Sequence, residues 1–320
     1  MPGGTVGDAG GSAGNDGGSD GSGSSTGPLP LCTAPSCGSW TSLANLPVAL
    51  QDVSAAVGGD GRIYALGFEA TGGMGSIGGL AYTPSTNTWT TIPSLVTPRE
   101  DLAMVAGTDG RIYAIGGATL DGTSVGTVEA YTPGSDAWTP VASLPTPRAL
   151  LTAAVAPDGT IYAIGGFGMD EALPTVEILA PGGSAWTAAP SLPGGLEQAA
   201  ATVDAGGRVF VFGGIAGTSA TATVWTYAPT DNAWQQGTSL PAARNGLAAV
   251  TLGDQLYTLG GVEPFHHTPV ATVDAYTPTA GSWASVAPMP TARANLGAVV
   301  GSDGRIYAFG DGSAMEAFSP

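Results

Sequence analysis

The chain has 320 residues, with 52 glycines, 25 prolines, seven tryptophans and two cysteines. Its 25 acidic residues outnumber eight basic residues, all arginine, and the net charge of −17 would repel nucleic-acid phosphates. The content of glycine and proline disfavours long helices and excludes an all-α fold. No apolar run is long enough for a transmembrane helix, and nothing near Met1 has the layout of a signal peptide.

The first segment, residues 1–30, is rich in glycine, serine and aspartate and has no aromatic residue. It cannot bury enough apolar surface to offset the entropy of ordering, so we predict a flexible tether. Residues 31–38 form a connector that holds Cys32 and Cys37, the two cysteines of the chain. A local disulfide is the simplest interpretation and favours an oxidising compartment. A metal pair is the alternative, although two thiols alone make an incomplete zinc site.

From residue 39 onward the chain repeats itself six times with a period of about 49 residues. Each repeat has an apolar segment that ends in a Gly-Gly pair or a variant of it, followed by a tryptophan. The tryptophans are spaced by 49, 49, 48, 48 and 49 residues and are Trp40, Trp89, Trp138, Trp186, Trp234 and Trp283.

Each repeat predicts four short strands, as the second one illustrates. An Asp109-Gly110 hairpin signal separates its first two strands, Gly116-Gly117 closes the second, and a turn at 133–136 separates the last two. The four predicted strands are Leu102–Ala106, Arg111–Ile115, Thr127–Thr132 and Ala137–Val141.

Four hydrophobic residues, a Gly-Gly pair, and a Tyr and a Trp about seven residues apart, repeated at a period near 50, resemble the Kelch repeat. The resemblance implies an all-β fold, a six-bladed β-propeller with four-stranded blades over residues 39–320. Ser39–Leu43 supplies only a fourth strand and the last repeat only the first three, so the N-terminal strand is expected to close the last blade. Such closure removes exposed strand edges.

The up-and-down strand order separates two faces of the disc. The short turns between strands one and two, and three and four, share the short-turn face. The opposite loop face carries the connections between blades and the unequal loops between strands two and three, and variable loops on a rigid scaffold favour binding. The predicted loops are Glu69–Gly78, Ala118–Gly126, Phe167–Pro174, Ile215–Ala222 and Val262–Ala271.

Four arginines align at the residue that enters the innermost strand, where the other two repeats have Leu50 and Leu196. We predict that they ring the mouth of the central channel, and that neighbouring acids and amides, Asp101 and Gln198 among them, contribute to the rim. In Kelch modules that bind peptides, arginines near this position engage carboxylates, so the resemblance implies an acidic ligand. Alternatively, each arginine caps a strand start and pairs with an acid of the next blade. The predicted ligand-binding residues here are Arg99, Arg148, Arg244, Arg293, Glu100, Asn245, Asn295 and Glu197.

Two further sets of charged residues are expected to be structural. Four arginines begin second strands on the short-turn face and are expected to be solvated: Arg62, Arg111, Arg208 and Arg305. Four carboxylates on third strands are expected to be partly buried and hydrogen-bonded, because neighbouring blades cover them. These are Glu129, Glu177, Asp274 and Glu316, with Leu80 and Trp225 at the same position in the other two repeats.

Catalytic residue types are scarce in this sequence. His266 and His267 are the two histidines, and with Phe265 they are predicted to contact ligand from the loop of the fifth blade. Adjacent residues in an extended chain point to opposite sides, so the pair does not predict a metal site. Copper chemistry of the galactose-oxidase type is excluded because both cysteines precede the first blade. No catalytic residue and no cofactor is predicted.

We therefore predict an exported binding or scaffold module that recognises a protein, peptide or glycan on its loop face. A sialate-mutarotase-like sugar isomerase, a role that the Kelch resemblance allows, is the alternative. We expect a monomer that is extracellular or periplasmic, whose tether suits a lipid anchor and whose leader is absent from this sequence. The abundance of alanine, glycine and arginine without lysine indicates a bacterial source.

Overall fold

The structure is a computed structural model that describes residues 37–69, 77–264 and 268–320. Within these ranges the chain forms β-strands joined by turns and loops, with no α-helix. The described part contains no helix that is long and apolar enough to cross a membrane. The predicted tether, Cys32 and the triplet 265–267 lie outside the described residues.

Strands β2 to β13 form the first three blades, each an antiparallel sheet in sequence order. Blade 1 consists of β2 (Leu50–Val57), β3 (Ile63–Glu69), β4 (Ile77–Thr83) and β5 (Thr88–Thr91). Blade 2 consists of β6 (Ala103–Ala106), β7 (Ile112–Ile115), β8 (Val128–Thr132) and β9 (Ala137–Val141). Blade 3 consists of β10 (Thr152–Val155), β11 (Ile161–Ile164), β12 (Val176–Leu179) and β13 (Thr187–Ala189).

The other three blades follow the same plan, and blade 4 adds a small ribbon of β16 (Ile215–Ala216) and β17 (Ser219–Ala220) in its loop. Blade 4 consists of β14 (Ala200–Val203), β15 (Val209–Phe212), β18 (Val224–Ala228) and β19 (Ala233–Gln236). Blade 5 consists of β20 (Ala248–Leu252), β21 (Gln255–Leu259), β22 (Val273–Thr277) and β23 (Ser282–Ser285). Blade 6 consists of β24 (Gly297–Val300), β25 (Ile306–Phe309), β26 (Met315–Ser319) and β1 (Ser39–Ser42).

The two ends of the propeller share blade 6. Strand β1 pairs with β26 in an antiparallel register that sets Trp40 opposite Phe318. The Trp40 indole packs on the Phe318 ring at a centroid distance of 5.2 Å and donates to the carbonyl of Ala287 at 2.8 Å. The predicted six-bladed propeller, closed by the N-terminal strand, is confirmed.

The hydrophobic core lies between the blades. Six clusters of buried side chains each join two neighbouring blades. Between blades 1 and 2, for example, Tyr64 and Leu66 pack with Ile112 and Ala114. Because a blade is covered on both sides, its second strand is buried at every position in blades 2, 3, 4 and 6 and at most positions in blades 1 and 5, which explains the apolar runs in the sequence.

The periodic tryptophans tie each blade to the preceding one. Every indole N–H donates to a backbone carbonyl that follows the last strand of the previous blade. The donors are Trp40, Trp89, Trp138, Trp186, Trp234 and Trp283, with acceptors Ala287, Ala44, Pro93, Ala142, Pro190 and Thr238. The predicted packing role between blades is confirmed.

The Gly-Gly pair marks a close approach of two backbone segments on the loop face. Gly117 has φ +108°, and a Cβ there would lie 2.5 Å from the carbonyl oxygen of Glu100. Its N–H donates to the carbonyl of Arg148 at 2.9 Å, which joins blade 2 to the connection into blade 3. A side chain at this position would force these segments apart.

We therefore expect Gly117→Ala to lower the free energy of unfolding by about 2–4 kcal/mol, through steric overlap and backbone strain. Gly110 supplies the control, because it has φ +81° but no atom within 4 Å of its Cβ position. Gly110→Ala should cost only about 1 kcal/mol. Urea denaturation of both variants measures the difference, and equal losses would contradict the steric account.

Candidate functional site

The four arginines that enter the innermost strands are buried within the blades. Arg99, Arg148, Arg244 and Arg293 are each 0% exposed. Each guanidinium pairs with a third-strand carboxylate of the blade that it enters, at distances of 2.7, 2.9, 2.6 and 3.3 Å. The partners, in that order, are Glu129, Glu177, Asp274 and Glu316.

Arg99 shows how the sheet holds the guanidinium. Its Nη1 donates to Glu129 Oε1 at 2.7 Å and to the carbonyl of Thr97 at 2.9 Å. Its Nε and Nη2 donate to the carbonyls of Gly116 and Ala114 at 2.8 and 3.0 Å. Burial lowers the pKa of Arg99, and the charge and hydrogen bond of Glu129 oppose that shift.

The carboxylate holds the connection between blades. Glu129 accepts the backbone N–H groups of Val96 and Thr97 at 2.8 and 2.9 Å. In blade 3, Glu177 likewise accepts the N–H and hydroxyl of Thr146 at 3.1 and 2.8 Å. Each ion pair therefore anchors the incoming connection to the second and third strands.

Blades 1 and 4 replace the ion pair by apolar contact. Leu50 and Leu80 share one buried cluster, and Leu196 and Trp225 meet in another. Arginine and acid are thus replaced together, as expected for a pair whose charges are costly to bury alone.

The predicted ring of arginines around the channel mouth is therefore wrong. The guanidinium groups are drawn into the sheet by carboxylates and carbonyls and present no surface to solvent. The predicted alternative is right in pairing each arginine with an acid, but the acid belongs to the same blade and not to the next. The prediction that the third-strand carboxylates are buried and hydrogen-bonded is confirmed.

The residue two positions further along reaches the axis. We call these six residues the channel rim: Asp52, Asp101, Leu150, Gln198, Gly246 and Asn295, one from each blade. All six have φ between 47° and 60°, in the left-handed region. This conformation turns each connection toward the innermost strand and places the rim residue at the mouth of the cavity.

Backbone hydrogen bonds run around the rim. Leu150 donates to Asp101, Gln198 to Leu150, Gly246 to Gln198 and Asn295 to Gly246, at 2.7–3.0 Å. Val53 continues the series by donating to Asn295 at 2.9 Å. Between blades 1 and 2 the hydroxyl of Ser54 bonds to the carbonyl of Leu102 at 2.5 Å. The rim is therefore a rigid frame.

Rim side chains present carboxylates and amides above a cavity of about 220 Å³, whose walls are largely alanine from the innermost strands. Asn295 Nδ2 donates to Asp52 Oδ1 at 2.8 Å, and Asn245 Nδ2 donates to Gln198 Oε1 at 2.6 Å. Amides and acids therefore cross-link the rim between neighbouring blades.

The carboxyl of Asp101 is the most perturbed acid of the rim. Partial burial raises its pKa to about 6, with further contributions from the negative charges of Asp52 and Glu100. Burial also raises the pKa of Glu100. Asp101 can therefore exchange a proton near neutral pH.

The other predicted ligand-binding residues have mixed positions. Asn295 belongs to the rim, whereas Glu100, Glu197 and Asn245 each precede a rim residue and bond through their backbone to the loop of their own blade. Burial raises the pKa of Glu197. Ligand contact by these residues stays a prediction, as it does for Phe265, His266 and His267, which lie outside the described residues.

Sequence reasoning missed Asp52, Leu150 and Gly246 as rim residues. The sequence predicted Asp101 and Gln198 as rim residues beside the aligned position, and both line the mouth in the structure. An alignment of the six repeats could have found the rim, because each rim residue lies two positions after the arginine or leucine that enters the innermost strand.

On the short-turn face, the other four arginines are partly exposed and paired with nearby aspartates. Arg62, for example, bonds to Asp60 at 2.7 Å and lies over the Tyr64 ring at 5.1 Å. The remaining pairs are Arg111–Asp109, Arg208–Asp204 and Arg305–Asp303.

The fold and rim define a closed six-bladed propeller with one irregular face, and comparisons with known proteins place it in a family. A family model described as the Kelch motif matches residues 105–145, 148–193, 200–241 and 243–290, more than half of the chain. The chain belongs to the Kelch-repeat family. The curated proteins contain no match to this sequence.

Among solved structures, one titled "Structure of YjhT" superposes with a TM-score of 0.71 at 17% sequence identity. The likeness covers 86% of this chain and 95% of that chain, and it shows a shared fold.

The raised pKa of Asp101 predicts a pH-dependent cost of folding. Between about pH 4 and pH 6 the folded chain keeps a proton that the unfolded chain has lost, so stability decreases as the pH rises through this window. Asp101→Asn should therefore stabilise the protein at about pH 7.5 by roughly 1 kcal/mol and have little effect at about pH 4.5. Denaturation at both pH values measures this, with Asp231→Asn on an exposed turn as the control for net charge. An equal gain at both would refute it.

Proposed function

We propose that this protein is a binding module that docks its ligand on the loop face, at the channel rim and the loops around it. The supporting observation is the rim itself, in which hydrogen bonds join the six connections and four of the six rim residues present polar side chains at an open mouth. Membership of the Kelch family supports a protein-binding scaffold.

The shape of the cavity favours a ligand that extends over the face. The part at the rim has a volume of about 220 Å³, below the roughly 300–1,000 Å³ of a typical small-molecule pocket, and a second cavity of about 250 Å³ continues it along the channel between the innermost strands. A single side chain or sugar ring fits the mouth, and the rest of such a ligand would contact the surrounding loops. These loops differ in length between blades, which suits recognition.

The sequence-based support for an acidic ligand no longer holds. The four arginines proposed to bind carboxylates already have carboxylate partners, and a ligand would have to break a buried ion pair to reach one. Breaking such a pair costs about 3–5 kcal/mol.

Sugar isomerisation is the second candidate, and Asp101 is the observation in its favour. A carboxyl with a pKa of about 6 can act as a general acid or base near neutral pH. The buried arginines argue against a sialate substrate, because none is exposed to receive the carboxylate of the sugar.

Several predictions made from the sequence stay predictions. They are export, a tether suited to lipid anchoring, a disulfide between Cys32 and Cys37, a monomeric state and a bacterial source. The tether and Cys32 lie outside the described residues. Cys37 itself is buried at the start of the described chain.

Peptide and glycan arrays, probed with two variants, test the site. Met169→Ala with Asn295→Gly removes two side chains from the loop face, and glycine keeps the backbone that Asn295 adopts at φ 47°. Asp231→Ala with Asp254→Ala removes two exposed side chains from the short-turn face. We expect the first variant to lose roughly tenfold in affinity for the ligands that the wild type captures, and the second to retain it.

Loss of capture by the short-turn variant alone would contradict the proposal, as would an array with no ligand at all. For any sugar that binds, the exchange of anomeric protons in NMR spectra decides the second candidate. Faster exchange with the wild type than with Asp101→Asn would support isomerisation.

A further inference from the structure

The distribution of positive charge is unusual in this molecule. The sequence has no lysine, and all eight arginines lie within the described residues. Four are buried in ion pairs and four lie on the short-turn face. The described part of the loop face therefore exposes no arginine or lysine.

The described part of the loop face carries many acids and no exposed basic residue to neutralise them. Ten acids lie at the ends of second strands, at the start of innermost strands or in the loops of this face. They are Asp52, Glu69, Glu100, Asp101, Asp121, Asp170, Glu171, Glu197, Glu263 and Asp311. Burial lowers the pKa of Arg244, and the negative charges of Asp274 and Glu263 oppose that shift.

The short-turn face differs in its charge balance. It has eight acids, four of them paired with its four arginines. The acids are Asp60, Asp109, Asp136, Asp158, Asp204, Asp231, Asp254 and Asp303. Most of the net negative charge of the propeller is therefore on the loop face.

Exposed apolar side chains occur on the same face. In the described residues the exposed large hydrophobic side chains are Val96, Leu120 and Met169, at 61%, 54% and 94% exposure. We call Leu120 and Met169 the apolar patch. Leu120 and Met169 lie on the loops of neighbouring blades, which contact each other where Ser124 Oγ bonds to the carbonyl of Phe167 at 3.2 Å.

Exposed acids follow both residues of the apolar patch in the sequence. Asp121 follows Leu120, and Asp170 and Glu171 follow Met169; all three are exposed. Asp170 and Glu171 have no side-chain hydrogen bond or ion pair within the described part of the chain. Their charges are therefore available to a partner.

We propose that the apolar patch and the acidic loop face together bind a basic, amphipathic segment of a partner protein, one rich in lysine or arginine with an apolar anchor residue. The inference rests on the proposed function and names the class of partner for that surface. Lysine and arginine side chains complement the carboxylates, and an apolar side chain covers Met169 and Leu120. A nucleic acid would be repelled, and a ligand without apolar groups would leave the patch exposed.

Two synthetic peptides test the charge preference by fluorescence anisotropy. One carries several lysines and one leucine, and the other replaces each lysine by glutamate. We expect the basic peptide to bind at least tenfold more tightly, and its affinity to fall when NaCl is raised from about 0.05 M to about 0.5 M.

Matched variants test the location. Asp170→Asn with Glu171→Gln removes two charges beside the patch, and Asp231→Asn with Asp254→Asn removes two from the opposite face. The first should weaken binding of the basic peptide roughly three- to tenfold, and the second less than twofold. Met169→Ser should also weaken it, at unchanged net charge.

Each result bears on a specific claim. If the acidic peptide binds as tightly as the basic one, and the array variants still place binding on the loop face, the inference fails while the proposed function stands. Equal losses for the two pairs of charge variants would show a non-specific attraction and overturn the inference. Loss with the short-turn variants alone would overturn both.

Discussion

The architecture of the loop face depends on the buried pair of an arginine and a third-strand carboxylate. In four blades this pair holds the incoming connection against the second and third strands, as Arg99 and Glu129 do in blade 2. The rim residue follows two positions later, so the pair also fixes where the chain turns toward the axis. In blade 2, carbonyls and N–H groups satisfy both partners of the buried pair. In the other three blades some buried polar atoms, among them Arg148 Nε, Arg244 Nε and Arg293 Nε, have no hydrogen-bond partner within the described residues.

The same interaction determines the charge of the molecular surface. A chain with only eight basic residues uses four of them inside its blades, so they cannot neutralise the acids that surround the channel. The result is a rigid, acidic loop face with a few exposed apolar side chains, opposite a short-turn face whose arginines are paired at the surface. Membership of the Kelch family is consistent with a binding surface here, while the particular charge favours a basic partner.

Sequence periodicity predicted the fold well because a propeller repeats its packing. The tryptophans, the Gly-Gly pairs and the apolar second strands each repeat one contact between blades, and β1 closes blade 6 as expected. The site was predicted less well. The alignment of the repeats predicted that Arg99 and its equivalents lie near the mouth. It could not show that the Arg99 side chain turns into the blade and pairs there with Glu129. Asp101 and Leu150 both adopt the left-handed conformation, with φ 53°. Because the two side chains are unlike, the sequence has no distinct signal for this turn.

Double-mutant analysis of Arg99 and Glu129 tests the structural role of the ion pairs most directly. Blade 1 already has leucines at the two equivalent positions, Leu50 and Leu80, so Arg99→Leu with Glu129→Leu copies a natural arrangement. We expect each single variant to lose about 3–5 kcal/mol of unfolding free energy in urea, and the double variant to recover most of that loss. Single variants as stable as the wild type would contradict the account.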